Sequence, residues 1–262
     1  MGLDPILRTP RLVIVDLDGV VYRGDEPIPG ASDLITRFHE AGITVRYATN
    51  NSMSTRSEFA ARLTRMGIPA AANEIVTSVS ATIEHLRRHL PDVRSVLSVG
   101  ASGMVDELRG AGFDVLPVAH AAASKMAHPD DPEQPVDAVV VGVDFDFDET
   151  RLAAAAAAIR RGARFVATNA DPRYPTPEGF RPGAGAMVEA VREATGVSPL
   201  VIGKPEPAMF TAILEETGVR ADEALVVGDS LDSDILGARR AGIASILVLT
   251  GVTTASAAVA AP

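Results

Sequence analysis

Cysteine is absent from all 262 residues, which excludes disulfides, a thiolate metal site and a cysteine nucleophile. Long apolar runs are missing as well. No stretch approaches the roughly 18 apolar residues of a membrane span, and Met1 to Pro10 contains no apolar signal core, so the default expectation is a soluble cytoplasmic protein. Positive charge is in the minority, with 24 Lys and Arg against 34 Asp and Glu and a net charge of −10. That balance argues against non-specific nucleic-acid binding, which needs a basic face. It leaves room for an anionic small ligand, because a local cation reverses the field in a pocket. The five histidines show no metal-ligand spacing, and no repeat at solenoid period occurs. Apolar residues make up 47% and charged residues 22%, enough core for one large α/β domain or two smaller ones.

Apolar β-rich runs alternate with helical patterns throughout, the pattern of a parallel sheet covered on both faces. Strands are expected at Arg11 to Val15, Thr44 to Ala48, Ser95 to Val99, Phe113 to Val118, Asp137 to Gly142, Arg164 to Thr168, Leu200 to Gly203, Ala224 to Val227 and Ala244 to Leu249. Helices are expected from Gly30 to Ala41, after Thr55 up to Gly67, and over Met104 to Ala111. Others should follow Asp148, end at Thr195, and cover Pro207 to Thr217 and Asp232 to Ala241. The run Ala153 to Ala158 is good helix-forming sequence that permits close packing. His128 to Pro135 is too rich in proline and charge for regular structure and reads as a surface connection, and a Pro-rich loop is expected between Thr168 and Pro182.

Four segments stand at expected strand ends. Asp16-Leu17-Asp18-Gly19 follows the first strand, and strand alternation would aim both carboxylates at one small volume. Two like charges placed together are costly unless a cation, a proton or chemistry uses them. An Asp-Gly turn is the plain alternative. Thr49-Asn50-Asn51-Ser52 offers a hydroxyl, amides and backbone donors. Gly203-Lys204-Pro205-Glu206-Pro207 places a cation just before a helix, with prolines suited to its first turn. Gly228-Asp229-Ser230-Leu231-Asp232-Ser233-Asp234 brings three carboxylates, of which Asp232 has a plain alternative as a helix cap. Open α/β sheets bind ligands at the carboxyl ends of their strands, and four such segments in order make coincidence improbable.

In these four motifs the chain resembles the haloacid dehalogenase superfamily phosphatases, in the subfamily with a large cap between the second and third motifs. The cap stretches Thr168-Asn169-Ala170-Asp171-Pro172 and Pro182-Gly183-Ala184-Gly185-Ala186 resemble that subfamily too. The resemblance implies a Rossmann-like α/β core formed by residues 1–80 and 199–262, with an inserted α/β cap over 81–198. It implies that Asp16 attacks phosphorus and carries an aspartyl-phosphate. Asp18 would protonate the leaving oxygen and then deprotonate water. Mg²⁺ would be held by Asp16, Asp229 and the backbone carbonyl of Asp18, with Asp234 orienting a metal-bound water. Thr49, Asn50, Asn51 and Lys204 would grip the phosphoryl oxygens. A phosphate dianion beside Asp16, Asp229 and Asp234 gathers about five negative charges, each close pair costing ~4 kcal/mol at an effective dielectric of 20. Mg²⁺ and Lys204 together offset about three of them, and all-oxygen ligation suits Mg²⁺ rather than Zn²⁺. For Asp18 to act as an acid, burial and neighbouring carboxylates are expected to raise its pKa in the metal-free protein.

In the resembled subfamily the cap carries a substrate-specificity loop, which here corresponds to Asp171-Pro172-Arg173-Tyr174-Pro175. Arg173 would pair with a second anion on the substrate and Tyr174 would meet the leaving group. The expected substrates are small phosphomonoesters such as phosphoglycolate, glycerol phosphate or a sugar phosphate, with nucleoside monophosphates as an alternative and a homodimer through the cap as the expected assembly. A receiver-like phosphoacceptor domain is a rival of another class, but it is much shorter and needs no general acid two residues from its acceptor. A dinucleotide-binding oxidoreductase is disfavoured because Val188 occupies the third glycine position after Gly183 and Gly185. A serine hydrolase is disfavoured because Gly100-Ala101-Ser102-Gly103-Met104 lacks the final glycine of a nucleophile elbow.

Overall fold

The structure is a computed structural model that describes residues 9–116, 118, 136–176 and 179–261. The expected surface connection at His128 to Pro135 lies outside the described residues. The chain divides into two compact units. One comprises residues 1–49, 56–77 and 204–262, and the other residues 50–55 and 78–203.

The first unit is built on a five-stranded sheet. Its strands are β1 (Leu12–Val15), β4 (Thr44–Thr49), β5 (Ile75–Thr77), β13 (Ala224–Gly228) and β14 (Ala244–Leu247). A small hairpin of β2 (Tyr22–Arg23) and β3 (Glu26–Pro27) follows β1. All pairings in the five-stranded sheet are parallel, in the order β14-β13-β1-β4-β5. The four residues Leu-Val-Ile-Val of β1 are all buried, as expected of a central strand whose sheet is covered on both faces. The chain leaves β1 toward β4 on one side and returns to β13 on the other, so the direction of winding reverses at β1. Such a switch point opens a crevice at the carboxyl ends of the strands. Leu17, Tyr22, Tyr47, Phe59, Leu63 and Ile75 fill the core beneath it.

The second unit has its own parallel sheet and its own core. The sheet order is β12-β9-β8-β6-β7. Its strands are β6 (Ser95–Val99), β7 (Asp114–Leu116), β8 (Ala138–Val141), β9 (Arg164–Ala167) and β12 (Leu200–Val201). The helix Glu149–Arg160 is capped by Asp148, whose carboxylate accepts the Arg151 N–H at 2.8 Å. Ala154, Ala155 and Ala158 of this helix pack into the core with Met187, Val188 and Val191 of the helix Ala184–Thr195. The alanine run therefore serves close helix packing.

The segment before that helix departs from expectation. Residues expected to form a Pro-rich loop instead make an antiparallel ribbon, β10 (Arg173–Thr176) with β11 (Gly179–Pro182). A two-stranded ribbon has two edges, so Pro175 and Pro182 need not donate to the ladder, and proline is tolerated there. Further elements carried no recognised signal in the sequence, among them the β2–β3 hairpin, β5, the helix Ser78–His89 and the helix Ala255–Ala260. No helix among the described residues is long and apolar enough to cross a membrane.

Candidate active site

The first strand-end segment sits where the sheet reverses. The Asp16 N–H donates to the Val227 carbonyl at 2.9 Å, which continues the β1–β13 ladder one residue past the strand and holds Asp16 at the carboxyl edge. Gly19 then turns the chain with φ +83°, a left-handed conformation that disfavours any residue with a Cβ. A Cβ there would also meet Asp229 Oδ2 at 2.6 Å. The turn leads into β2, and Tyr22 Oη donates to Asp18 Oδ2 at 3.3 Å.

Lys204 is 3% exposed, and its ammonium is the hub of the site. It donates to Asp16 Oδ1 at 2.6 Å, to Asp234 Oδ1 at 2.7 Å and to the Ala48 carbonyl at 3.0 Å. Burial alone would lower its pKa, but Asp16 and Asp234 more than offset that and push it above the ordinary lysine value. Lys204 is therefore a charged group throughout the neutral range, buried only because it is triply bonded.

The fourth segment folds back on itself. A single π-helical turn over Leu231–Ile235 begins at Ser230, whose hydroxyl caps it by accepting the Ser233 N–H at 3.2 Å. Ser230 rather than Asp232 is thus the cap. The turn returns Asp234 to its origin, where Oδ2 accepts the N–H groups of Asp229 and Ser230 at 3.2 and 3.1 Å. Both oxygens of Asp234 are engaged. Asp229 is held by the loop after β14: the Val252 N–H donates to its Oδ2 at 2.5 Å and the Thr253 N–H to its carbonyl at 3.2 Å. Gly251 leaves room for this, since a Cβ there would stand 1.8 Å from Asp229 Oδ2.

Carboxylate oxygens of Asp16, Asp229 and Asp234, all buried, lie within 4.8 Å of one another. Against three carboxylates stands one ammonium, so the ionised cluster carries an excess of two negative charges. Burial pushes the Asp16 carboxyl well up, against the pull of Lys204. Burial likewise raises Asp229, partly countered by the Val252 N–H. An all-oxygen donor set with this charge excess and close spacing fits a hard divalent cation of the Mg²⁺ type.

Asp18 is also pushed up, as expected, although the cause differs in part. Burial raises it, while Arg62, the Tyr22 hydroxyl and Lys204 all act in the opposite direction. Its effective neighbours are donors and cations rather than carboxylates. Arg62 lies over the Tyr22 ring with its guanidinium carbon 4.3 Å from the centroid and donates to the Gly24 carbonyl at 2.6 Å. Neither Tyr22 nor Arg62 received a role from sequence reasoning. Tyr22 is only four residues from Asp18 in the sequence, whereas Arg62 is remote, on the helix Arg56–Arg65.

Thr49 ends β4 and is buried. The next residues belong to the second unit, where they meet the segment 169–174. Asn50 Nδ2 donates to both carboxylate oxygens of Asp171, at 3.2 and 3.0 Å. The Asn50 carbonyl accepts from the Ser78 hydroxyl and from Asn169 Nδ2, each at 2.8 Å. Asn51 Nδ2 donates to Tyr174 Oη at 3.0 Å. The structure therefore joins the second motif to the segment 169–174, a pairing that sequence spacing did not suggest. Arg173 is exposed, with its guanidinium 4.9 Å from the centroid of Phe180.

Comparisons with known proteins agree with this geometry. Residues 13–114 match the haloacid dehalogenase-like hydrolase family, and residues 201–262 match the HAD-hydrolase-like family. The chain is 37% identical over 248 residues to an acid sugar phosphatase of Staphylococcus saprophyticus, covering 95% of this chain and 90% of that protein. It is 39% identical over 243 residues to a D-glycerol 3-phosphate phosphatase of Mycobacterium tuberculosis, covering 93% of this chain and 64% of that protein. Among solved structures, a glycerol phosphate phosphatase from Mycobacterium tuberculosis in complex with magnesium aligns with a TM-score of 0.82 at 37% identity, covering 98% of this chain and 73% of that one. With similarity of this extent over nearly its whole length, and with the strand-end carboxylates and lysine in one cluster, the chain belongs to the haloacid dehalogenase-like hydrolases.

Proposed function

We propose that this chain is a Mg²⁺-dependent phosphatase of small phosphomonoesters that works through an aspartyl-phosphate on Asp16. The observation that carries the reading is the position of Asp16. It sits at the carboxyl end of the central strand with the Lys204 ammonium 2.6 Å from Oδ1 and shares a buried cluster with Asp229 and Asp234.

Asp16, Asp229 and the backbone carbonyl of Asp18 would hold Mg²⁺, which when bound supplies positive charge against the carboxylates and the phosphoryl group. Lys204 orients the Asp16 carboxylate through Oδ1 and would offset phosphoryl charge, while Thr49 and the motif residues Asn50 and Asn51 would donate hydrogen bonds to the phosphoryl oxygens. The Asp16 carboxylate forms a bond to phosphorus as the bond to the leaving oxygen breaks, and that oxygen takes the proton of Asp18. Asp18, now a carboxylate, removes a proton from the water that attacks the aspartyl-phosphate, releasing inorganic phosphate and restoring both aspartates. Tyr22 holds Asp18 in place by its 3.3 Å hydrogen bond. Asp234, with both oxygens bonded to Lys204 and backbone amides, acts by positioning its neighbours.

The family resemblance gives the unit formed by 50–55 and 78–203 the role of the cap, which would exclude water from the reaction. Leaving-group choice is assigned to the segment that carries Asp171, Arg173 and Tyr174. The names of the relatives support sugar or glycerol phosphates as the substrate class, with nucleoside monophosphates as the second class to test. We place the enzyme in the cytoplasm and assign it a homodimer through the cap; a monomeric mass by light scattering would end the latter. The decisive test is phosphate release from a panel of small phosphomonoesters, with and without Mg²⁺, for the wild type and Asp16→Asn. Mg²⁺-dependent release that disappears in the variant is expected. Release that persists in Asp16→Asn would remove the nucleophile assignment, and no release from any compound would remove the activity.

A further inference from the structure

Just after Asp18 the chain makes a very small sheet. β2 and β3 pair only Tyr22 with Pro27 and Arg23 with Glu26, and Glu26 and Pro27 are exposed. A ladder this short does not hold itself, so its place depends on what grips it from outside. It nevertheless carries the partner of Asp18. Tyr22 is fully buried. Its N–H donates to the Leu17 carbonyl at 3.2 Å and its carbonyl accepts the Gly19 N–H at 2.8 Å, which closes the turn. Its hydroxyl donates to Asp18 Oδ2 at 3.3 Å, and among the described residues this is the one hydrogen bond that the Asp18 carboxylate receives.

Two arginines of the first unit tie this hairpin to other elements. Arg23 donates to the Thr250 carbonyl in the loop after β14. Arg62 reaches it from the helix Arg56–Arg65. The Arg62 guanidinium carbon is 4.3 Å from the Tyr22 centroid, and Nη2 donates to the Gly24 carbonyl at 2.6 Å. The same nitrogen lies 3.3 Å from Asp25 Oδ1, but Asp25 is 94% exposed and a pair so solvated holds little. The ring contact and the Gly24 bond are the ones that count. A planar guanidinium can make both at once, because its face meets the ring while its N–H groups reach outward along its own plane. Arg62 thus grips the hairpin at two points, the ring that bonds Asp18 and the turn between the strands.

We propose that Arg62 is a positioning residue for the acid step: by fixing Tyr22 and the turn at Gly24, it sets where the Asp18 carboxyl meets the leaving oxygen. The proposal rests on the phosphatase reading above, in which Asp18 gives its proton to that oxygen. Such a transfer needs the donor within hydrogen-bond reach of the acceptor, and a misplacement of about 1 Å costs up to about a hundredfold in rate. Without the guanidinium the ring loses its neighbour on one face and the turn loses its tie to the helix. A ladder of two residue pairs does not replace them. Arg62 acts through Tyr22, so its removal harms most those reactions whose leaving group needs the proton.

The test compares kcat/KM, which covers the steps up to departure of the leaving group, for p-nitrophenyl phosphate and phenyl phosphate in the presence of Mg²⁺. Nitrophenolate departs without a proton, whereas the more basic phenolate needs one. R62A should raise the p-nitrophenyl-to-phenyl ratio about tenfold. R62K keeps the charge but not the planar fork, and should fall between R62A and the wild type. Asp18→Asn should raise the ratio at least as far as R62A. R65A removes an exposed cation from the same helix and should leave the ratio in place. Equal losses on both substrates in R62A are the mark of general damage to the hairpin and would overturn the proposal, as would a ratio that rises equally in R65A. Should R62A fail to fold, R62K decides, and a wild-type ratio in R62K overturns the proposal. A ratio unmoved in Asp18→Asn would instead remove the acid assignment of the phosphatase reading, and the proposal with it. No phosphate release from either ester by the wild type would remove that reading altogether.

Discussion

Lys204 shows how much a single side chain carries at this site. Its ammonium donates to Asp16, to Asp234 and to the Ala48 carbonyl, joining the two carboxylates through one cation. Lys204→Met removes the cation and leaves two buried carboxylates facing each other, a loss of about 3 kcal/mol or more in stability by analogy with broken buried pairs. Urea denaturation measures it. The loss should shrink on acidification, because the Asp16 carboxyl, already pushed up by burial, then takes up a proton; a loss independent of pH would contradict the hub role. Tyr22→Phe is a milder change. The Tyr22 hydroxyl stabilises the charged form of Asp18, so its removal should move the Asp18 limb of the pH–rate profile upward. The accompanying loss in kcat/KM should be about tenfold or less, corresponding to one hydrogen bond of ~1 kcal/mol. A profile unmoved in Tyr22→Phe would detach Tyr22 from the acid–base step.

At the scale of elements, three turns assemble the site. They are the turn after β1, the π-helical turn after β13, and the loop after β14. The first and third meet at Gly19, where Thr250 Oγ1 donates to the Gly19 carbonyl at 2.6 Å. Gly19→Ala demands a positive φ of a residue with a Cβ and drives that Cβ to 2.6 Å from Asp229. The expected outcome is destabilisation of about 1–3 kcal/mol from backbone strain, with a weakened response to Mg²⁺ because Asp229 is displaced. Thermal denaturation with a Mg²⁺ titration reads both, and an unaltered Mg²⁺ response would show that Asp229 keeps its place without this turn. Of these three turns the first was legible, because Asp-Gly after an apolar run is a strong local pattern. The π-helical turn was not. Its sequence Leu231 to Ile235 reads as an ordinary helix start, and the extra turn width shows in the Ile235 N–H, which donates to the Ser230 carbonyl five residues back at 3.1 Å. The ribbon β10–β11 was missed for a similar reason: prolines at 172, 175, 177 and 182 outweighed the short β-compatible runs between them, although a two-stranded ribbon tolerates proline at its edges.

For the molecule as a whole, the charge excess of the cluster sets a pH dependence. In the metal-free protein Asp16, Asp18 and Asp229 are all raised by burial. The folded state therefore binds more protons than the unfolded chain between the ordinary carboxylate value near ~3.9 and the raised values. Stability should accordingly fall as pH rises through that window, as far as these groups are concerned. A divalent cation reverses the sign, since it binds only the deprotonated cluster. The increase in Tm produced by Mg²⁺ should therefore grow from acidic to neutral pH, and it should vanish on chelation with EDTA. An increment that is the same at every pH would place the cation elsewhere.

Local pattern was sufficient for much of this protein. Apolar runs of four to six residues ending in Asp, Thr or Gly marked the strands, and the order of the four motifs marked the family, because both are properties of neighbouring residues. It also brought Asp16, Lys204, Asp229 and Asp234 under suspicion before any of them had a partner. What the folded chain alone decided are the relations between distant residues. Asn50 with Asp171, Arg62 with Tyr22, and Arg181 rather than Arg173 beside Tyr174 depend on packing and on a one-residue register. A shift of one residue along a strand reverses the face of every side chain, and nothing in the composition of residues 173–182 distinguishes the two arrangements. The chemistry of the site was thus written in short segments, while which arginine shares a face with Tyr174 depended on how two strands align.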